Sequence, residues 1–127
     1  MNGSTLKRAA AIVAGTAGGL LMLAPGAAQA YVGYGATIQP GGTVCVQQYA
    51  NYQVRGEGTA TKAGARFAVY RNGVQIYNTT NTTSGFAAEF RSAWWNFPGP
   101  GNYQVCAQNR NSTSTLVNIR ILTDAEF

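Results

Sequence analysis

Few side chains in this 127-residue sequence could do acid–base chemistry, and histidine is absent. Without histidine, neither a Ser-His-Asp or Cys-His nucleophile system nor a histidine metal site can form. The carboxylates beyond position 30 are Glu57, Glu89, Asp124 and Glu126. A glycosidase needs two carboxylates about 5–10 Å apart in a cleft, whereas Glu57 lies between glycines, Glu89 lies beside Arg91, and the other two belong to the tail. We therefore predict that the protein is not an enzyme and uses no cofactor.

Metal and nucleic-acid binding are also poorly supported. Two cysteines cannot supply an all-cysteine zinc site, which needs four thiolates, and no acid-dense loop suggests calcium. Residues 31–127 contain seven basic and four acidic side chains, a net charge of +3 that is spread over separate segments. A nucleic-acid-binding protein would show a basic stripe. We expect no metal site and no nucleic-acid partner.

Residues 1–30 have the pattern of a secretory signal peptide. Lys7 and Arg8 precede the apolar stretch Ala9–Leu23, and Ala28–Ala30 has the small-x-small form of a cleavage site. The apolar stretch is about fifteen residues, shorter than the ~20 that a spanning helix needs. We predict a secreted, extracellular protein with no membrane segment after cleavage, consisting of one domain over residues 31–127.

Cys45 and Cys106 are the only thiols in the chain. In an oxidising compartment they should form one disulfide, which small secreted domains commonly need. No Cys-x-x-Cys motif or adjacent base indicates a redox site. The expected role of the bridge is structural.

Short alternating runs, separated by Gly, Asn and Pro about every ten residues, predict strands. The clearest pair is Arg66–Arg71 and Val74–Asn78, joined by Asn72-Gly73, which favours a type I′ turn. A regular register pairs Val69 with Ile76 and Phe67 with Asn78. It places Phe67, Val69, Val74 and Ile76 on the core face, and Ala68, Tyr70, Gln75 and Tyr77 on the outer face.

The remaining strands follow from the same period-2 logic. The long run Gly85–Phe97 puts Phe86, Ala88, Phe90 and Trp94 on one face and Ala87, Glu89, Arg91, Ala93 and Trp95 on the other. Further strands are predicted at Tyr103–Asn109, Leu116–Leu122 (with Val117, Ile119 and Ile121 inward), Thr43–Gln48, Tyr52–Glu57 and Ala36–Gln39. The fold class is all-β, a single antiparallel β-sandwich of about seven strands.

The layout resembles an immunoglobulin-type sandwich. An early strand contains Cys45, and a late strand, Gly101–Cys106, contains Tyr103 near its cysteine, like the family's paired cysteines and tyrosine corner. Two details differ from the family: the tyrosine precedes Cys106 by three residues rather than two, and Phe67–Arg71 contains no tryptophan. The resemblance implies an immunoglobulin-like sandwich with one disulfide.

The phase of the cysteines along their strands predicts where the bridge lies. Cys45 shares a face with Thr43 and Gln47, and Cys106 shares a face with Gln104 and Gln108, whereas the valines face the other way. We therefore expect a cross-strand disulfide near the surface of one sheet or at its edge. In that case the two strands are neighbours and the strict immunoglobulin strand order does not hold.

Aromatic side chains predicted to face outward are the candidate binding surface, because tyrosine and tryptophan are enriched at protein interfaces and stack on sugars. These residues are Tyr31, Tyr34, Tyr70, Tyr77 and Trp95. The Gly-rich segment from Tyr31 to Ile38 has two interpretations: it pairs with the sheet edge of a partner as an added strand, or it forms the first strand of its own sandwich.

An Ala- and Gly-rich leader before a small stapled domain is similar to small exported proteins of high-GC Gram-positive bacteria. That resemblance implies either an enzyme inhibitor or a subunit of a secreted assembly such as an antibacterial toxin particle. The Trp-Arg-Tyr turn of the microbial α-amylase inhibitors is absent. Our preferred hypothesis is a secreted, non-catalytic binding or adaptor module with a secreted or extracellular protein as partner. The alternatives are an inhibitor of an extracellular glycosidase or protease, and a small carbohydrate-binding module using Trp95, Tyr70 and Tyr77.

Overall fold

A computed structural model describes residues 31–61 and 64–127, so the predicted leader and its cleavage site lie outside the described residues. The described chain forms eight strands and two short 3-10 helices, at Ser92–Trp94 and Asp124–Glu126. The strands are β1 Tyr31–Ile38, β2 Thr43–Ala50, β3 Gln53–Ala60, β4 Arg66–Arg71, β5 Val74–Asn78, β6 Gly85–Arg91, β7 Gly101–Gln108 and β8 Thr115–Thr123. Within these residues, no helix is long and apolar enough to cross a membrane.

The strands form two four-stranded sheets that pack face to face. Sheet A has the order β1-β8-β3-β6, and sheet B has the order β2-β7-β4-β5. Every strand pair is antiparallel. The prediction of an all-β antiparallel sandwich with one disulfide is confirmed, with eight strands instead of about seven.

The core lies between the sheets and follows the predicted alternation. Val117, Ile119 and Ile121 on β8 are buried, as expected, while the residues between them face solvent. Phe67 and Val69 on β4 meet them from sheet B and are also buried. The segment from Tyr31 to Ile38 is the first strand of its own sandwich, paired over its whole length with β8.

Two inward-facing glycines on β3 let the sheets approach closely. A Cβ atom at Gly58 would lie 2.6 Å from Cε1 of Phe67, and one at Gly56 would lie 2.8 Å from Cγ2 of Val105. The space is filled by the stacked rings of Phe67 and Phe86, whose centroids are 4.8 Å apart. A glycine inside a strand often marks such a close approach.

The disulfide joins neighbouring strands within one sheet, as the cysteine phase predicted. Cys45 on β2 lies directly opposite Cys106 on β7, with 4.0 Å between their Cα atoms. Both line a small depression on the outer face of sheet B, beside Arg66 and Tyr70, and both are largely covered. An immunoglobulin bridge links the two sheets, so the strict immunoglobulin order is not observed.

The β4–β5 hairpin has the predicted turn but a different register. Asn72 and Gly73 both have positive φ, at 48° and 86°. Beyond the first two pairs a bulge shifts the ladder by one residue, so that Val69 lies opposite Tyr77 rather than Ile76. Since opposite residues share a face, the predicted position of Tyr77 on the outer face is wrong.

The shifted register explains two further differences on β5. The Tyr77 ring stacks on Phe86 at 6.0 Å, at the rim of the core. Val74, predicted to be a core residue, is 66% exposed and forms the first pair of the hairpin, with Arg71, directly after the turn. Ile76 is half-buried against the core.

Strand β6 is shorter than predicted, ending at Arg91 instead of Phe97. The chain then turns through the 3-10 helix, which carries Trp94 out of the core face assigned to it and leaves it 56% exposed. Phe86, Ala88 and Phe90 keep their predicted inward positions.

We expect Gly58→Ala to destabilise the protein by about 1–3 kcal/mol, because its methyl group would overlap the Phe67 ring and force the core apart. Urea unfolding with wild type and the neighbouring outer-face variant Thr59→Ala as controls would measure this. Equal unfolding midpoints for Gly58→Ala and wild type would contradict the close packing.

Candidate binding surface

The structure does not bring the five predicted binding aromatics together. Tyr31 begins β1, and Tyr34 on the same strand packs half-buried against the core. Tyr70 lies on the outer face of sheet B near the disulfide, and Tyr77 lies at the rim of the core. Trp95 projects freely, with 94% of its surface exposed.

Trp95 instead belongs to a group of exposed aromatics at one end of the sandwich. We call this group the aromatic end: Tyr49 at the end of β2, Tyr52 in the β2–β3 turn, and Trp94 and Trp95 after β6. Their exposed fractions are 49%, 47%, 56% and 94%. Alternation along predicted strands missed Tyr49 and misplaced Trp94, and Tyr52 was assigned to a strand instead of the turn Asn51-Tyr52.

The loop that presents Trp94 and Trp95 is fixed to strand β6. The Trp95 N–H donates to the Ser92 carbonyl at 3.0 Å. The side chain of Asn96 bridges β6, accepting from the Arg91 N–H at 2.8 Å and donating to the Glu89 carbonyl at 3.2 Å. The start of the loop therefore has a defined conformation.

The far end of this loop is fixed to sheet B. The buried Tyr103 donates its hydroxyl to the Gly99 carbonyl at 2.6 Å, a contact like the predicted tyrosine corner. Arg71 donates to the carbonyls of Gly99 and Pro100 at 3.2 and 3.0 Å. Burial raises the pKa of Tyr103 to about 12, so its hydroxyl stays protonated as the donor at physiological pH.

The turn that presents Tyr52 is held by the C-terminal segment. One carboxylate oxygen of Asp124 accepts from the N–H groups of Asn51 and Tyr52, each at 2.9 Å. The Tyr52 carbonyl accepts from Ser92, through its N–H at 3.0 Å and its hydroxyl at 2.9 Å. The two aromatic loops are thus joined directly to each other.

Backbone strain is concentrated at the same end. Trp95 has φ = 62°, a left-handed conformation that is unusual for a bulky side chain. Among the described non-glycine residues with positive φ, Asn72 and Asp124 also lie at this end, while Thr80 lies at the other. Strained residues persist where the surrounding contacts hold them, and they cluster at functional sites.

A ladder of five ionised side chains crosses the outer face of sheet A and ends beneath Trp94. Glu57 pairs with Arg120 at 2.6 Å and with Arg55, while Glu89 pairs with Arg55 at 2.6 Å and with Arg91. The Arg91 guanidinium also lies 5.0 Å from the ring centroid of Trp94 and 4.7 Å from that of Phe127. Glu89 and Arg91, which the sequence places two residues apart on one face of the strand, are thus an ion pair.

Both ladder carboxylates favour the ionised form. Partial burial opposes ionisation of Glu57 and Glu89, but hydrogen bonds and charge attraction from two arginines each outweigh it and lower both pKa values. The same pairing raises the pKa of Arg55 through its hydrogen bonds to Glu57 and Glu89. A general acid needs a raised carboxyl pKa, so neither glutamate is tuned for that role.

A groove of about 680 Å³ runs beside the ladder across sheet A. It is lined by residues of all four strands of sheet A, among them Gly33, Gly35, Glu57, Asn118 and Arg120. Within residues 31–61 and 64–127, no three His, Cys, Asp or Glu side chains are placed to hold a metal ion.

In the part of the chain that the structure describes, the loops at the opposite end of the sandwich contain no aromatic residue. They include the residues from Asn78 to Ser84 and from Asn109 to Ser114, which are mostly Asn, Ser and Thr. The fully buried Asn109 organises this end, donating to the carbonyls of Ile38 and Thr113 at 2.8 and 2.9 Å and accepting from Asn111 N–H at 2.8 Å. The two ends therefore differ sharply in chemistry.

We expect the protein to lose stability as the pH falls below the ordinary glutamate pKa of 4.5, because a lowered folded-state pKa stabilises the fold only while the carboxylate is ionised. Thermal unfolding between pH 7 and pH 3 would show this loss. In Glu89→Gln the dependence on acid should be weaker and the stability at pH 7 lower. An identical pH profile for this variant and wild type would contradict the role of the ladder.

No protein-family model matches the sequence, and no curated protein matches it. Solved structures with a similar fold include PliG of Aeromonas hydrophila, a periplasmic inhibitor of g-type lysozyme, with a TM-score of 0.55 and 11% identity over 81% of this chain and 94% of PliG. The Yersinia pseudotuberculosis-derived mitogen has a TM-score of 0.55 and 14% identity, over 76% of this chain and 88% of its own. The pre-peptidase C-terminal domain of a Bacillus anthracis collagenase has a TM-score of 0.54 and 7% identity, over 71% of this chain and 87% of that domain. At these identities the likeness concerns the β-sandwich fold.

Proposed function

We propose that this protein is an exported, non-catalytic binding module that docks another exported or extracellular protein through its aromatic end. The observation that carries the proposal is Trp95, a large apolar side chain that is 94% exposed on a strained but firmly held backbone. Burying a tryptophan stabilises an interface strongly, and tryptophan and tyrosine are enriched among the residues that dominate binding energy.

The rigidity of the aromatic end supports binding in its present conformation. The loop from Ser92 to Pro100 is held by Asn96 at one end and by Tyr103 and Arg71 at the other. A surface that is already ordered loses little conformational entropy on association, so more of the contact energy appears as affinity. Arg91 beneath Trp94 adds a cation of the type enriched at interfaces.

A protein partner fits the aromatic end better than a carbohydrate does. The carbohydrate hypothesis combined Trp95, Tyr70 and Tyr77, which lie on different parts of the molecule. Tyr52 and the pair Trp94 and Trp95 are exposed on two loops that are hydrogen-bonded to each other, with the charged Arg91 beneath Trp94. An exposed aromatic surface on ordered loops with an arginine beside it has the composition of a protein interface.

An enzyme inhibitor is a second candidate, and it is the more specific form of the same function. A fixed loop with a projecting tryptophan at its tip has a shape that could enter a concave active site, as inhibitor loops do. PliG, which has a similar fold, is a lysozyme inhibitor. The ionised, arginine-paired state of Glu57 and Glu89 supports a non-catalytic role for the module itself.

We expect Trp95→Asn to weaken partner binding strongly while leaving the fold intact. Asparagine tolerates the left-handed backbone at this position, and an exposed substitution should change stability by no more than about 0.5 kcal/mol. Loss of a central tryptophan should weaken binding by about 2 kcal/mol or more. The measurement is which exported proteins, from the source organism and from organisms that live beside it, are retained by immobilised wild type and by the immobilised variant.

Leu116→Ala is the matched control, because Leu116 is also a large exposed apolar residue (43%) but lies near the polar end. A protein that is retained by wild type and Leu116→Ala, and not by Trp95→Asn, would support the proposal. Equal retention by all three would refute a role for the aromatic end. If the retained protein is an enzyme that wild type inhibits and Trp95→Asn does not, the inhibitor form is identified. If wild type is retained on glycans but on no protein, and the retention depends on Trp95, the carbohydrate alternative is favoured.

A further inference from the structure

The free edges of strands β1 and β2 differ from the edges that β5 and β6 form on the opposite side of the sandwich. Residues 31–54, which include β1, β2 and the first two residues of β3, contain no charged residue, and every charge beyond position 30 lies at or after Arg55. Proteins normally protect an edge strand with charge, proline, a bulge or short length. Strand β1 is eight residues long, pairs with β8 without a register shift, and contains neither charge nor proline.

The edges on the opposite side of the sandwich are protected. Along β6, the Asn96 side chain occupies the backbone groups of Glu89 and Arg91, as a neighbouring strand would. Strand β5 has only five residues and a bulged pairing with β4. The unprotected edges therefore lie on the side formed by β1 and β2.

Alternate residues of β1 direct their backbone groups away from sheet A. The Leu116 carbonyl on β8 accepts from the Thr61 N–H at 2.9 Å, so the backbone of Leu116 faces β3. Leu116 lies opposite Thr37 of β1, and opposite residues in an antiparallel ladder point either both toward or both away from each other. Thr37, and by alternation Gly35 and Gly33, therefore direct their N–H and C=O groups to the free edge.

We infer that β1 pairs antiparallel with β1 of a second copy of this chain, joining two sheets A into one eight-stranded sheet. Two identical uncharged edges can meet without like-charge repulsion, although each molecule has a net positive charge elsewhere. A second copy is also present wherever the protein itself is present, so the pairing requires no other protein. A twofold dimer of this kind uses the same surface patch on both molecules.

The geometry of β1 satisfies the condition for such pairing. On β1 the even-numbered residues Val32, Tyr34 and Ile38 face the core. Opposite residues of an antiparallel pair share a face, so the core faces of the two copies join only if odd-numbered residues of one copy lie opposite odd-numbered residues of the other. The outward backbone groups belong to odd residues, and pairing Gly33 with Gly35 brings together two positions without side chains. In that register Tyr34, half-buried at the rim of the core, lies beside Tyr34 of the second copy, which completes the burial of both rings.

Thr37→Pro tests the dimer because it removes an outward N–H that has no role within sheet A, and proline is tolerated on edge strands. Thr37→Val is the matched control, since it keeps the N–H and the strand propensity. Sedimentation equilibrium over a wide range of protein concentrations should give dimers for wild type and Thr37→Val. The dimer of Thr37→Pro should be weaker by at least about tenfold, because one donor is lost from each copy.

A second pair of variants keeps the test decisive if Thr37→Pro does not fold. Thr37→Lys retains the N–H but adds a charge to the edge, and Val74→Lys adds one to exposed Val74 on β5. Only Thr37→Lys should weaken the dimer. A monomeric wild type, or equal dimerisation of a Thr37 variant and its control, would overturn the inference. Trp95→Asn should dimerise like wild type, which separates this inference from the proposed function.

Discussion

The distance between the two sheets depends on the missing side chains at Gly56 and Gly58. On β3 these glycines face the core, and they alternate with the charged outward residues Arg55 and Glu57. The inward gaps are filled by aromatic rings from both sheets, so a domain of modest size gains a dense core. The outward charges of the same strand form the centre of the ion-pair ladder. One short segment thus determines both the core packing and the polar face of sheet A.

The molecule is polarised in two directions. Along the strands, the aromatic end with its braced loops opposes an end made of Asn, Ser and Thr loops. Across the strands, the uncharged side formed by β1 and β2 opposes a side where Asn96 covers β6 and β5 is short and bulged. The first contrast depends on residues far apart in the chain, since Asp124 holds the turn before β3, whereas the second includes a local contact in which Asn96 folds back on Glu89.

Local patterns predicted much of the fold because period-2 alternation and the Asn72-Gly73 turn depend on neighbouring residues. The cysteine phase correctly placed Cys45 opposite Cys106. What failed depends on contacts that strand alternation does not encode. A bulge moved Tyr77 to the core rim. Strand β6 ended at Arg91, where the Asn96 side chain accepts from the Arg91 N–H and the Ser92 N–H donates to Tyr52. The aromatic end could not be predicted for the same reason, since the bracing of Tyr52 by Asp124 spans more than seventy residues.

The pairing of β1 with β8 means that the first described strand of the chain finds its only strand neighbour in the last. The partners in the bridge between β2 and β7 are separated by 61 residues. Neither sheet can be completed by an N-terminal portion of the chain, so folding must wait for the C-terminal strands. Such distant pairing slows folding, because loop-closure entropy is lost before the contacts form. Until β7 and β8 are available, a chain with this topology has neither complete sheet, and a polypeptide without its folded core can be threaded through a narrow channel.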